Sequence, residues 1–150
     1  MLGRTQKAID SFDQALKIKP DQHEAWNNRG IALSNLGRFQ EAIDSFDQAL
    51  KIKPDQHEAW NNRGIALRNL GRFDEAIASF DQALKIKPDN SSSFYNKAWY
   101  YTLQGNIDLT LENLTQAINL DEEYRERAKT DPDFDSIRAD ERFQRLLLGS

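Results

Sequence analysis

A period of 34 residues constrains this chain more than any other feature: residues 8–33, AIDSFDQALKIKPDQHEAWNNRGIAL, return unchanged at 42–67. A third, partly altered copy follows in LGRFDEAIASFDQALKIKPDN at 70–90. Gly3, Gly37, Gly71 and Gly105 keep the same spacing, as do Pro20, Pro54 and Pro88. Units of this length cannot each enclose a core and bury their apolar surface only against neighbouring copies. The period therefore predicts a stacked array and not one closed globule.

Residues 21–54 show what one unit is. Asp21 stands where it can cap a first helix, Trp26, Leu33 and Leu36 recur at helical intervals, and Gly37 ends the run. A second helix is predicted from about Arg38, with Ala42, Ile43, Phe46, Ala49 and Leu50 on one face, and it must stop before Pro54. Gly30 and Ala42 carry almost no side chain, so the two helices can approach closely while Trp26 and Phe46 fill the flanking volume. Each unit is thus expected to be a helical hairpin, and the fold class all-α.

Trp26, Gly30, Gly37, Phe39, Ala42, Phe46, Ala49 and Pro54, in that spacing, resemble the tetratricopeptide repeat. The resemblance implies a right-handed α-solenoid of stacked helical hairpins. On this reading the chain is a single domain with a half repeat at 2–20, repeats at 21–54 and 55–88, a degenerate repeat at 89–122 and capping helices at 123–150. In the degenerate copy Phe94, Ala98, Thr110 and Leu114 replace the Trp, Gly, Ala and Phe of the pattern. The family's Leu three residues after Trp is here Arg29, Arg63 and then Lys97. Long cationic stems snorkel, so the charged heads are expected to reach acidic neighbours such as Asp47 or Asp81. Glu122 stands where the next Pro would fall, leaving the helix that ends near Leu120 free to run on. The tail resembles those that close bacterial arrays of this family: Asp131 caps, Pro132 opens a short turn, and Phe134, Ile137, Phe143, Leu146 and Leu147 return over the last hairpin.

Composition narrows the function. The chain has no cysteine, which removes disulfides and thiolate metal sites. It begins without an apolar leader and holds no run of 18 apolar residues, so a soluble, cytoplasmic protein with no membrane partner is expected. The net charge of −4 comes from residues 121–142, and the remainder is neutral, which argues against nucleic acid. Asp131, Asp133 and Asp135 begin like a calcium loop, but Pro132, Ser136 and Arg142 break that pattern. His23 and His57 are read as exposed histidines near the helix starts, too far apart to share an ion. No phosphate loop, nucleophile elbow or apolar carboxylate pair is present, and the Ser and Asp residues of the repeats are read as helix-surface positions. The chain is predicted to be no enzyme, with no cofactor and no metal.

In the family the first helix of each hairpin lines a groove, so the resemblance places a peptide or a partner's helix on Asn27, Asn28, Asn61, Asn62, Arg68, Tyr95, Asn96 and Trp99. Asn28, Asn62 and Asn96 form a row at the repeat period, and a carboxamide can bond both the N–H and the C=O of an extended peptide. The alternative is that these asparagines tie neighbouring helices together. Tyr95 and Trp99, four residues apart, are either aromatic anchors in the groove or replacements for lost core volume. The family's clamp for acidic chaperone tails is not reproduced, since Asn27, Ser92, Ile31 and Asn96 stand at four of its five positions and only Asn62 matches. Residues 2–20 lack the first helix of their own hairpin, as a fragment of a longer array would. The competing function is homo-oligomer formation through the face of Ile9, Phe12 and Leu16.

Overall fold

The computed structural model describes residues 2–149, and these divide between two compact units, 1–86 and 87–150. The described residues form nine α-helices and one 3-10 turn, without strands. The first unit comprises α1 (Leu2–Ile18), α2 (His23–Asn35), α3 (Phe39–Ile52), α4 (His57–Asn69) and α5 (Phe73–Ile86). Consecutive helices pack on one another in chain order through α5, and α2 also meets α4 directly. The second unit holds α6 (Ser91–Leu103), α7 (Ile107–Leu120), α8 (Glu123–Thr130), the 3-10 turn (Pro132–Ile137) and α9 (Glu141–Leu148).

The hairpins turn where glycine was placed by the period. Gly37, Gly71 and Gly105 have φ of 75°, 77° and 72°, a region that side chains with a Cβ avoid. Gly3 shares their spacing but lies inside α1, so its register carries no turn. At Gly30 and Gly64 the reason is proximity: a Cβ would stand 2.6 Å from the ring of Phe46 or Phe80. Both rings are fully buried in a core that runs from Ile9 through Leu33, Ile43 and Leu67.

Polar links repeat with the same fidelity. Arg29 Nε donates to Asp13 Oδ1 and its Nη1 to Ser45 Oγ, both at 2.6 Å; Arg63 repeats this on Asp47 and Ser79 at 2.7 Å. Each guanidinium therefore ties the preceding hairpin to its own. Asp47, one of the expected acceptors, is met by Arg63, and Asp13 is the equivalent acceptor for Arg29, since each head turns toward the helix that precedes its own. Ser45 and Ser79 are buried acceptors and not surface residues, which corrects the reading of the repeat serines. Trp26 and Trp60 are half-buried, each donating its indole N–H to the carbonyl of Pro20 or Pro54 at 2.8 Å. Asp21 does not cap α2: the N-cap is Gln22, without a side-chain cap bond.

The second unit fills its core by other means. Ala98, Leu114, Ala117, Phe134 and Phe143 are completely buried. Thr102 Oγ1 donates to the Ala98 carbonyl at 2.8 Å and lies 3.2 Å from Thr110 Oγ1, so a hydroxyl pair occupies the hairpin contact. The helix ending at Leu120 does not run on: Asp121 is extended, and its carboxylate accepts from the backbone N–H of Glu123 to start α8. Asp131 accepts from the Asp133 N–H at the head of the 3-10 turn, and Asp140 accepts from Arg142 and Phe143 at the head of α9.

Candidate functional site

Once the core faces are accounted for, α2 and α4 still present a polar face built from the copied block. Asn28 is exposed and Asn62 half-buried, and neither carboxamide has a hydrogen-bond partner among the described residues. Ile31, 37% exposed, lies three residues after Asn28, where its copy Ile65 is half-buried. Beside them a cavity of about 450 Å³ is lined by His23, Glu24, Asn27 and Asn28 of α2, by Lys53, Asp55 and Gln56 of the connecting loop, and by His57 and Glu58 of α4.

Gln56 holds this cavity's wall in place. Its amide nitrogen donates to the carbonyls of Ala49 and Lys53 at 3.0 and 2.8 Å, satisfying the open end of α3, while its oxygen lies 3.1 Å from His23 Nδ1. One glutamine thus joins three consecutive helices at their ends. Both histidines are half-buried and not exposed, since they lie against this wall. Asn27 Oδ1 is buried with no hydrogen-bond partner, a condition that costs about 1–3 kcal/mol unless a donor arrives. The side chains of Glu24, Lys53, Asp55 and Glu58 make no ion pair among the described residues.

The other expected positions fall differently. Asn61 and Asn96 are buried, at 8% and 7% exposure, and Asn96 Nδ2 donates to the Ser92 carbonyl of its own helix at 2.9 Å. Its donor thus serves the helix, and the row of open carboxamides is confined to Asn28 and Asn62. Arg68 is half-buried near the end of α4. Trp99 is only 4% exposed and serves as no open anchor, as its volume replaces core lost with the degenerate repeat. Tyr95 is likewise a core residue. Its ring meets Tyr124 at 4.7 Å and Phe134 edge-on at 5.4 Å, with the Arg127 guanidinium 4.9 Å above it. Its hydroxyl donates to Asp131 Oδ2 at 2.6 Å. Burial foremost, then the bond to Asp131 and its charge, push the Tyr95 phenol well above its ordinary value.

On α1, Ile9 and Leu16 are buried on the side that faces α2, so they are removed from any outer surface. Phe12 alone of that expected set is partly open. It is half-buried where its copies Phe46 and Phe80 are fully covered, and Ser11 is exposed where Ser45 is buried. Reading the helices alone missed the loop residues Lys53, Asp55 and Gln56 as part of a site. The signal lay in the copied block itself, which carries the loop along with the helices.

Comparison with known proteins now decides the family. A tetratricopeptide repeat model matches residues 2–57 and again 31–91, and a second such model matches 79–112. The chain belongs to the tetratricopeptide repeat family. Among solved structures, one described as the crystal structure of MamA superposes with a TM-score of 0.82 over 97% of this chain and 88% of that one, at 19% identity. MamA 41-end from Desulfovibrio magneticus RS-1 gives 0.73 over 87% and 71%, also at 19% identity. The structure described as MamA MSR-1 C2 gives 0.69 over 81% and 70%, at 26% identity. No curated protein sequence matches the chain. The repeats and the fold they form make this tetratricopeptide protein a protein-interaction scaffold. Among the described residues no helix is long and apolar enough to cross a membrane, and no three His, Asp or Glu side chains gather as a metal site would need.

Proposed function

We propose that the face of α2 and α4 holds an extended peptide from a protein partner. The observation that carries this reading is the pair Asn28 and Asn62, equivalent carboxamides one repeat apart that make no hydrogen bond among the described residues. A carboxamide that neither caps a helix nor bridges two of them is available to the backbone of a ligand. Asn27, which lines the same cavity as Asn28, flanks that pair. Two such groups making two bonds each supply about 4 kcal/mol, whereas a micromolar complex needs about 8. Ligand side chains contacting Ile31 and the neighbouring cavity supply the remainder.

The test is a peptide array followed by titration of the best binder. Replacing Asn28 and Asn62 together by Ala is expected to weaken it at least tenfold, with the melting temperature unchanged because both groups lack partners. Unaltered affinity in that variant rejects the reading. A second reading, self-association through α1, is favoured by the partly open Phe12 and the exposed Ser11 beside it. Light scattering over a concentration series checks it, since Phe12→Asp must dissolve any oligomer held by that face.

A further inference from the structure

The cavity at the first turns of α2 and α4 carries more carboxylates than cationic groups. Glu24, Glu58 and Asp55 line it as carboxylates without ion-pair partners among the described residues, and Lys53 is the one lysine or arginine in that lining. The orphaned Oδ1 of Asn27 belongs to the same lining and also lacks a donor. A ligand that suits this set brings donors and positive charge, which is what a lysine or arginine side chain offers.

Spacing adds a second condition. Glu24 and Glu58 are the same position of two copies, on helices that meet directly. Packed helices stand about 8–10 Å apart. A polyproline II segment advances about 9 Å per turn of three residues and presents every third side chain on one side. A β-strand at about 3.3 Å per residue turns its third side chain to the opposite face and cannot meet both carboxylates alike.

Building on the peptide-binding reading, we infer that the partner segment is an extended polyproline II stretch carrying lysine or arginine at every third position. One cation reaches Glu24 and the next reaches Glu58, while the intervening backbone meets Asn28 and Asn62. Lys53 sets a limit on charge density, because adjacent cations would crowd it.

Three peptides of equal length decide the matter by anisotropy titration at low and physiological salt: Lys-Pro-Pro repeats, Ala-Pro-Pro repeats, and alternating Lys-Pro repeats. The Lys-Pro-Pro peptide is expected to bind tightest. Glu24→Gln and Glu58→Gln should each weaken it about two- to fivefold and together about tenfold, with loss at higher salt. These carboxylates have no ion-pair partner among the described residues, so the variants are expected to melt with the parent protein. Equal binding of Ala-Pro-Pro or Lys-Pro, or indifference to both glutamate changes, overturns the inference. If Ala-Pro-Pro binds equally and still requires Asn28 and Asn62, the peptide-binding reading survives without the cation rule. If no peptide binds in a way that depends on those asparagines, both fall.

Discussion

The two compact units solve the same packing problem in different ways. In residues 1–86 the solution is repetition. Identical letters produce nearly identical geometry, with Arg29 and Arg63 lying 5.9 and 5.8 Å from the rings of Trp26 and Trp60 and a ring filling the space over Gly30 and Gly64. In residues 87–150 the copying is relaxed, and the core is completed by Thr102 with Thr110, by Leu114, and by the aromatic cluster of Tyr95, Tyr124, Phe134 and Phe143. The difference teaches that a repeat fixes contacts through small residues at fixed points. Once those residues change, bulk from elsewhere in the chain must return to close the gap. It also separates roles: the degenerate unit buries Tyr95, Asn96 and Trp99, whereas the copied unit leaves Asn28 and Asn62 open.

The largest effect should come from the cluster that closes the second unit. Phe134→Ala removes a completely buried ring and is expected to cost about 3–5 kcal/mol, read by chemical denaturation. Phe12→Ala, at a half-buried ring, should cost well under half as much. Similar losses at the two sites would erase the distinction between a closed and an open face.

Next come the glycines, where one period yields opposite signs. Gly64→Ala pushes a methyl into the Phe80 ring and is expected to destabilise by about 1–3 kcal/mol. Gly3→Ala, in a helix with nothing within 4 Å of the added carbon, should stabilise by about 0.5–1 kcal/mol. Thermal melts of the two variants suffice to compare them.

A smaller loss is expected from Arg63→Ala, which breaks the links to Asp47 and to the buried Ser79. About 1–2 kcal/mol is the expected cost, with Ser79→Ala in the same background recovering part of it. That recovery would show that an unsatisfied hydroxyl, and not the exposed charge pair, carries the penalty.

The smallest effect concerns acidity. The hydrogen bond from Arg38 foremost, and its charge, hold the Glu41 carboxyl below its ordinary value, and Arg72 does the same for Glu75. A lowered carboxylate stabilises the fold above its unfolded pKa and loses that contribution as pH falls through the folded value. A carbon-detected titration should therefore place Glu41 and Glu75 below the ordinary glutamate value. Midpoints at that ordinary value would remove these pairs from the repeated links.

Much of this molecule was legible in advance. Helix boundaries followed from Pro, Gly and apolar spacing, and the close approach at Gly30 followed from its lack of a side chain. What failed depended on direction. The arginine heads were expected to reach aspartates and do, Arg63 meeting Asp47 and Arg29 meeting Asp13, but the buried serine that each also binds was read as a surface residue. Asp21 was a reasonable cap by residue type, yet the helix begins two residues later, where Gln56 shows that a longer amide in the following copy binds the preceding helix end. Tyr95 and Trp99 carried an ambiguity that spacing could not resolve, because the same interval serves an open face and a buried one.

The sequence by itself determined the unit, its length, its two helices and the turns between them, since these depend on backbone preferences and local periodicity. Only the tertiary structure decided which polar groups remain available. Availability depends on what the neighbouring helices cover, and identical letters such as Phe12 and Phe46 have different exposure when different surfaces lie against them.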